Sequence, residues 1–147
     1  MSDRLHLCDV SKHDERLSVF EVAGKTTHFE VELWIKEGDN EYRQQTLSEN
    51  IPGSLRDLAH KTRQDVTGIY YYLANFGTGS SAHENLRAEI READDFSHVC
   101  YTTANLIEAI EEGRTLQSFI DEHCKDPYTP QITRPTQEQE EDHEITR

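Results

Sequence analysis

Two spacings of apolar residues divide the chain. Up to about residue 47 they recur every second position. The clearest case is THFEVELWIK (27–36), where Phe29, Val31, Leu33 and Ile35 alternate with Glu30, Glu32, Trp34 and Lys36. Period two is that of a strand in a sheet with one wet face. Residues 4–10 and 16–22 (RLSVFEV) are shorter runs of the same kind, and YRQQTL reads as a returning strand. AGKT and EGDNE between the runs carry hairpin-turn residues. The first third therefore predicts an antiparallel sheet of three to four strands.

From about residue 54 the period lengthens. Leu55, Ala59, Thr62, Val66, Ile69, Leu73 and Phe76 are spaced alternately by four and three, one stripe along a single helix. The spacing predicts a long helix over about 54–76, opened by the capping pattern Ser54–Asp57 and opposed only by Gly68. On that helix Tyr70 and Tyr72 flank the stripe and Tyr71 points away from it. Three shorter helices follow. Ser81 with Glu84 opens one bearing Leu86, Ile90 and Ala93 on one face; Thr103 opens another that Gly113 stops; Thr115 starts LQSFIDEHC. Strands followed by helices give an α+β fold with the helices on one face of the sheet. The expected organisation is a single α+β domain over 1–125 and a disordered acidic tail over 126–147. That tail holds three of the four prolines and six acids against two arginines.

Charge narrows the function. The chain has 147 residues and 29 acids against 15 lysines and arginines, a net charge of −14. The tail carries −4 of this by the same residues, leaving −10 on the body. Such a body repels phosphate backbones and anionic membranes and attracts basic surfaces. No apolar run is long enough to span a bilayer, and the N-terminus lacks a basic-then-apolar signal pattern, so a cytoplasmic protein without a membrane association is expected. Three cysteines without CxxC spacing fit a reducing compartment.

Residues 55–75 resemble a helix-turn-helix. Leu58, Ala59, Ile69 and Leu73 match its apolar pattern, with a small alanine where two helices pack closely. The resemblance implies a transcriptional regulator with Arg56, Lys61 and Arg63 on phosphates. Against it, Arg63 stands where the motif has its turn glycine, and TGIYYYLANF contains no Arg or Lys to read bases. The same stripe also admits a homodimer.

Other chemistry is sparse. Treated as strand segments, His6 with Cys8 and His98 with Cys100 each share a side, and His123 adjoins Cys124, but zinc-type spacing is missing. GTGSS (77–81) precedes a helix N-terminus without the lysine of a phosphate loop. HExxH and GxSxG are absent. Neither a catalytic set, a metal nor a cofactor is expected.

What remains is acid combined with aromatic residues. Glu30, Glu32 and Trp34 share the wet face of the best strand. Glu89, Glu92, Asp94, Asp95, Glu108, Glu111, Glu112, Asp121 and Glu122 lie opposite the apolar positions of their helices. Carboxylates so presented match a surface built for the phosphates of a duplex, ~1.7 Å of axis per charge. The expected function is a non-enzymatic inhibitor that docks on a basic, nucleic-acid-handling protein, with Trp34 or Tyr71 as buried anchors. In size and charge alone the chain resembles phage anti-restriction and anti-CRISPR proteins and nuclease immunity proteins.

Overall fold

The period-two segments pair in the order the sequence implies. In the computed structural model, residues 4–23, 28–37, 39–76, 81–123 and 129–134 are described. Strands β1 (Arg4–Lys12), β2 (Glu15–Val22), β3 (His28–Glu37) and β4 (Asn40–Leu47) form an antiparallel meander. Their alternation sends Val10, Leu17, Val19, Phe29, Val31 and Leu33 to one face, where all are buried. The AGKT turn falls largely outside the described residues. Between β1 and β2 the turn is only His13 and Asp14, with His13 at the left-handed φ of 54°.

A fifth strand, β5 (Gln131–Thr133), completes the sheet in the order β4-β3-β2-β1-β5. It pairs antiparallel with Asp9–Ser11 of β1. Gln131–Thr133 of the expected tail is thus a strand of the sheet. Ile132 packs on the core and Pro130 is buried, so a short apolar patch offsets the ordering cost and covers an edge β1 would otherwise expose. The rest of the tail, 135–147, lies outside the described residues.

The α+β class stands, with the helical half following the sheet, but the long helix is a different one. The stretch expected as one helix over 54–76 is two: α1 (Ile51–Asp65) and α2 (Thr67–Phe76), divided at Val66. Entry is at Ile51, not at Ser54, with Asn50 as a left-handed N-cap and Pro52 in the first turn, where its missing N–H costs nothing. The two helices expected to open at Ser81 and Thr103 are one, α3 (Ser81–Glu111) of 31 residues. Thr103 is buried inside it and returns its hydroxyl to the Val99 carbonyl at 2.8 Å; Ser97 does the same to Ala93 at 2.8 Å. Hydroxyls that cap a helix in isolation are tolerated mid-helix when burial demands continuity.

Gly113, at φ 101°, ends the turn after α3. Its N–H donates to Ile110 and that of Arg114 to Ala109, the C-cap expected of glycine. Thr115 then caps α4 (Leu116–His123), its Oγ1 accepting from Ser118 N–H at 3.0 Å.

One apolar cluster joins the layers. Leu55 and Ala59 of α1 and Val99, Cys100, Leu106 and Ile107 of α3 meet Val10, Leu17, Val19, Val31 and Leu33 of the sheet. Each such side chain contributes about 1.5–3 kcal/mol by leaving water. Of the stripe, Leu55, Ala59 and Val66 are buried and Thr62 and Ile69 half-buried, so its inward direction is as read. The side chains of Leu73 and Phe76 are outside the described set.

Candidate functional site

The acids do not gather on one face. On the sheet side away from the helices, Glu30 and Glu32 are already paired: Arg4 lies 3.0 Å from Glu30 and 3.2 Å from Glu32, and Arg43 lies 3.3 Å from Glu32. Glu32 is only 5% exposed; three neighbouring charges of mixed sign make that burial tolerable. Trp34 is half-buried beneath Arg16, whose guanidinium carbon stands 4.7 Å from the indole centroid. The buried indole N–H has no hydrogen-bond partner among the described residues.

On the helices, Glu108 is gripped bidentately by Arg56 at 2.7 Å, which holds its carboxyl below the usual range and ties α1 to α3. Glu122 pairs with Arg114 at 2.7 Å, and Asp121 accepts from Gln117 at 2.9 Å. Glu111 and Glu112 are exposed at the end of α3. Tyr71 is 69% exposed on α2.

The expected set divides: Asp94 and Asp95 share one cleft, Glu108 and Glu111 another, and Glu89 and Glu92 meet beside Trp34 of β3. With Asp14, Glu15 and Asp65 these last three line a groove of about 550 Å³ between the sheet, α1 and α3. Leu58, Ala93 and Phe96 form apolar parts of its wall, and Lys36 and Lys61 are its cations. Lys36 lies 3.7 Å from Asp14. Among the described residues no cation lies within ion-pair distance of Glu15. It stands on the strand face of Leu17 and Val19, turned toward the helices. Burial first, then Glu92, Asp95 and Asp14, raise its carboxyl to about 7. A carboxyl raised first by burial and then by acidic neighbours marks a partly desolvated place where further negative charge gathers. Sequence reasoning missed Glu15, although the period-two register through Leu17 and Val19 already put it on the inner face.

Asp94 and Asp95 belong to a second cleft on the other side of α3. It measures about 710 Å³ and is lined by Ser11, Lys12, His13, Arg87, Ile90, Arg91, His98, Thr129 and Gln131 as well. Asp95, 5% exposed, accepts from His13 Nδ1–H at 2.8 Å. Lys12 Nζ donates to His98 Nδ1 at 3.0 Å. An ammonium only donates, so that nitrogen carries the lone pair and the His98 proton resides on Nε2. Burial, then Lys12 and Arg63, hold His98 below its ordinary pKa, with Asp94 and Asp95 opposing. Ser11 lines the same cleft, and among the described residues no hydrogen bond joins it to His13.

The His/Cys pairs come apart. A bulge at Leu7 shifts the register between His6 and Cys8: His6 stacks on Phe20 at 4.7 Å, whereas Cys8 is fully buried in the core. His98 and Cys100 are on a helix, not a strand, with Cys100 in the core and His98 in the second cleft. Burial raises both thiols to about 12 and so disfavours their thiolate forms. Cys124 lies outside the described residues. Among the described residues no group of three or more His, Cys, Asp or Glu is placed to hold a metal ion, and no helix is long and apolar enough to cross a membrane.

The close helix packing read at Ala59 is real, but its partner is α3: Ser97 Oγ approaches the Ala59 carbonyl at 3.4 Å. Between α1 and α2 there is only Val66, with Ile69 N–H donating to its carbonyl at 3.0 Å. A helix-turn-helix spaces its helices with a three- to four-residue turn; this junction is a one-residue kink.

No protein-family model matches this chain, and neither a curated protein nor a solved structure is detectably similar to it.

Proposed function

We propose that this chain is a binding protein that docks on a basic protein, of the kind that handles nucleic acid, through the groove between the sheet, α1 and α3. The supporting observation is Glu15: a carboxyl raised to about 7 by burial and then by Glu92, Asp95 and Asp14, with no ion pair to a cation among the described residues. Lysine or arginine from a partner removes that repulsion, so the gain on docking exceeds that of an exposed surface pair. Leu58, Ala93 and Phe96 beside the carboxylates offer apolar contact to the stems of the same cations. The arrangement joins a steering charge to a desolvated centre, as binding hot spots require.

This narrows the acidic surface expected from the sequence. Glu30, Glu32, Glu108 and Glu122 already have cationic partners, and reversing Glu108 breaks the α1–α3 tie rather than a docking contact. The variant to make is therefore Glu15→Gln/Glu89→Gln/Glu92→Gln. The wild-type chain, immobilised and exposed to nuclease-treated cell lysate, is expected to retain a basic nucleic-acid-handling protein that the triple variant loses. Equal retention by both, or recovery that vanishes with nuclease, contradicts docking through the groove.

A further inference from the structure

The second cleft concentrates positive charge in a protein that otherwise has little. Arg87, Arg91, Asp94 and His98 are spaced by four, three and four along α3, one stripe of the helix, and all line the cleft. Lys12 and His13 face them from the end of β1 and its turn. Arg87 and Arg91 are exposed, and among the described residues neither makes a hydrogen bond or an ion pair. That is unexpected where acids outnumber bases 29 to 15, since Glu84 and Asp94 each stand three residues from one of them, within reach on a helix. Asp95 is already committed, to His13 at 2.8 Å and to Lys12 at 3.8 Å. Asp94, the other carboxylate of the lining, opposes an anion. His13 keeps a left-handed backbone that glycine or asparagine adopts with less strain, and in return its Nδ1 is fixed on Asp95, leaving Nε2 for a ligand. Gln131 of β5 and Thr129, whose hydroxyl donates to the His123 carbonyl at 3.4 Å, complete the lining.

We propose that this cleft is a binding site for a small phosphate ester, held by Arg87, Arg91 and Lys12 with the two imidazoles beside them. Two guanidiniums one helical turn apart can each offer paired N–H donors, which match the oxygens of a phosphate group. A dianion accepts more of these donors than a single carboxylate does. A volume of about 710 Å³ is in the usual range for small-molecule sites. The strong negative charge of the surrounding surface disfavours a nucleic-acid polymer. The cleft lies across α3 from the acidic groove, so either assignment survives the failure of the other.

The test is a titration of the full chain with adenosine 5′-monophosphate, with inorganic phosphate and with a single-stranded oligonucleotide, followed by calorimetry and by the imidazole NMR signals of His13 and His98. Saturable binding of the monophosphate that moves both imidazoles is expected, weakened about tenfold or more in Arg87→Gln/Arg91→Gln and within about twofold of wild type in the control Glu111→Gln/Glu112→Gln. Both pairs are exposed, with Glu112 just past the end of α3, and an unchanged melting temperature certifies the fold. Tighter binding by inorganic phosphate alone identifies the free ion as the ligand and overturns the ester. Tighter binding by the oligonucleotide overturns the small-molecule assignment. The absence of saturation at millimolar ligand, or equal binding by the arginine variant, overturns the site.

Discussion

Trp34 and Glu15 show what single positions withhold from the sequence. Trp34 was legible as a residue of the outer sheet face, and it is there, but its cover by Arg16 depends on a cross-strand register that pairs Arg16 with Trp34. Its buried indole N–H has no partner among the described residues, and an unmade hydrogen bond costs about 1–3 kcal/mol. Replacement by Phe removes that cost while surrendering some ring area and part of the cation–π contact. Trp34→Phe is expected to stay within about 1 kcal/mol of wild type in urea denaturation, and a loss above about 3 kcal/mol, the range of a well-satisfied buried aromatic, contradicts this account. For Glu15 the sign of the pH effect is fixed. Its folded carboxyl, at about 7, lies above the ordinary 4.5, so between those values the native state holds a proton that the unfolded chain has lost. The stabilisation is fully present below about 4.5 and is lost as pH rises through about 7. Glu15→Gln should therefore gain stability over wild type at pH 8, by about 1 kcal/mol after allowance for partial solvation, and show almost none of that gain at pH 4. Denaturation at the two pH values measures the difference; a gain that is the same at both contradicts the shift.

Elements were more legible than their boundaries. The strands, the Gly113 stop and the Thr115 cap follow from patterns a few residues long, and local physics decides them. What local physics does not contain is the competition between a cap and a core. Ser97 and Thr103 have the chemistry of helix starters, and Asp94–Asp95 of a solvated break, yet α3 runs through all four. Val66 is the opposite case: an unbroken stripe of apolar residues conceals the division between α1 and α2. Ala59 is the instructive intermediate. Its small size signalled a close helix crossing, and only the identity of the crossing helix was hidden, because α3 lies 38 residues on at Ser97. Enlarging that contact should cost stability: Ala59→Leu is expected to lose about 1–3 kcal/mol by overpacking, read from the denaturation midpoint. A neutral result contradicts a tight α1–α3 crossing.

At the scale of the whole molecule, net charge was legible and its distribution was not. A count of acids cannot show that arginines from β1 and β4 neutralise Glu30 and Glu32, that Arg56 neutralises Glu108, or that α3 divides its charge between two clefts. These outcomes depend on which strands and helices become neighbours. β5 shows the same limit. Gln131–Thr133 lies in a proline-rich acidic segment, and its strand form depends on an edge that β1 offers only after folding. The groove that remains, with Glu15, Glu89 and Glu92, is the smallest surface to which the proposed docking on a basic partner reduces. Its most direct test is a titration of the isotope-labelled chain with an arginine-rich peptide at physiological ionic strength, observing carboxyl and backbone NMR signals. The account predicts shifts centred on Asp14, Glu15, Glu89 and Glu92, a fall in the Glu15 pKa on binding, and loss of both in Glu15→Gln/Glu89→Gln/Glu92→Gln. Shifts spread evenly over all exposed acids, or centred on Glu111, Glu112 and Asp121 with the groove unmoved, would contradict it.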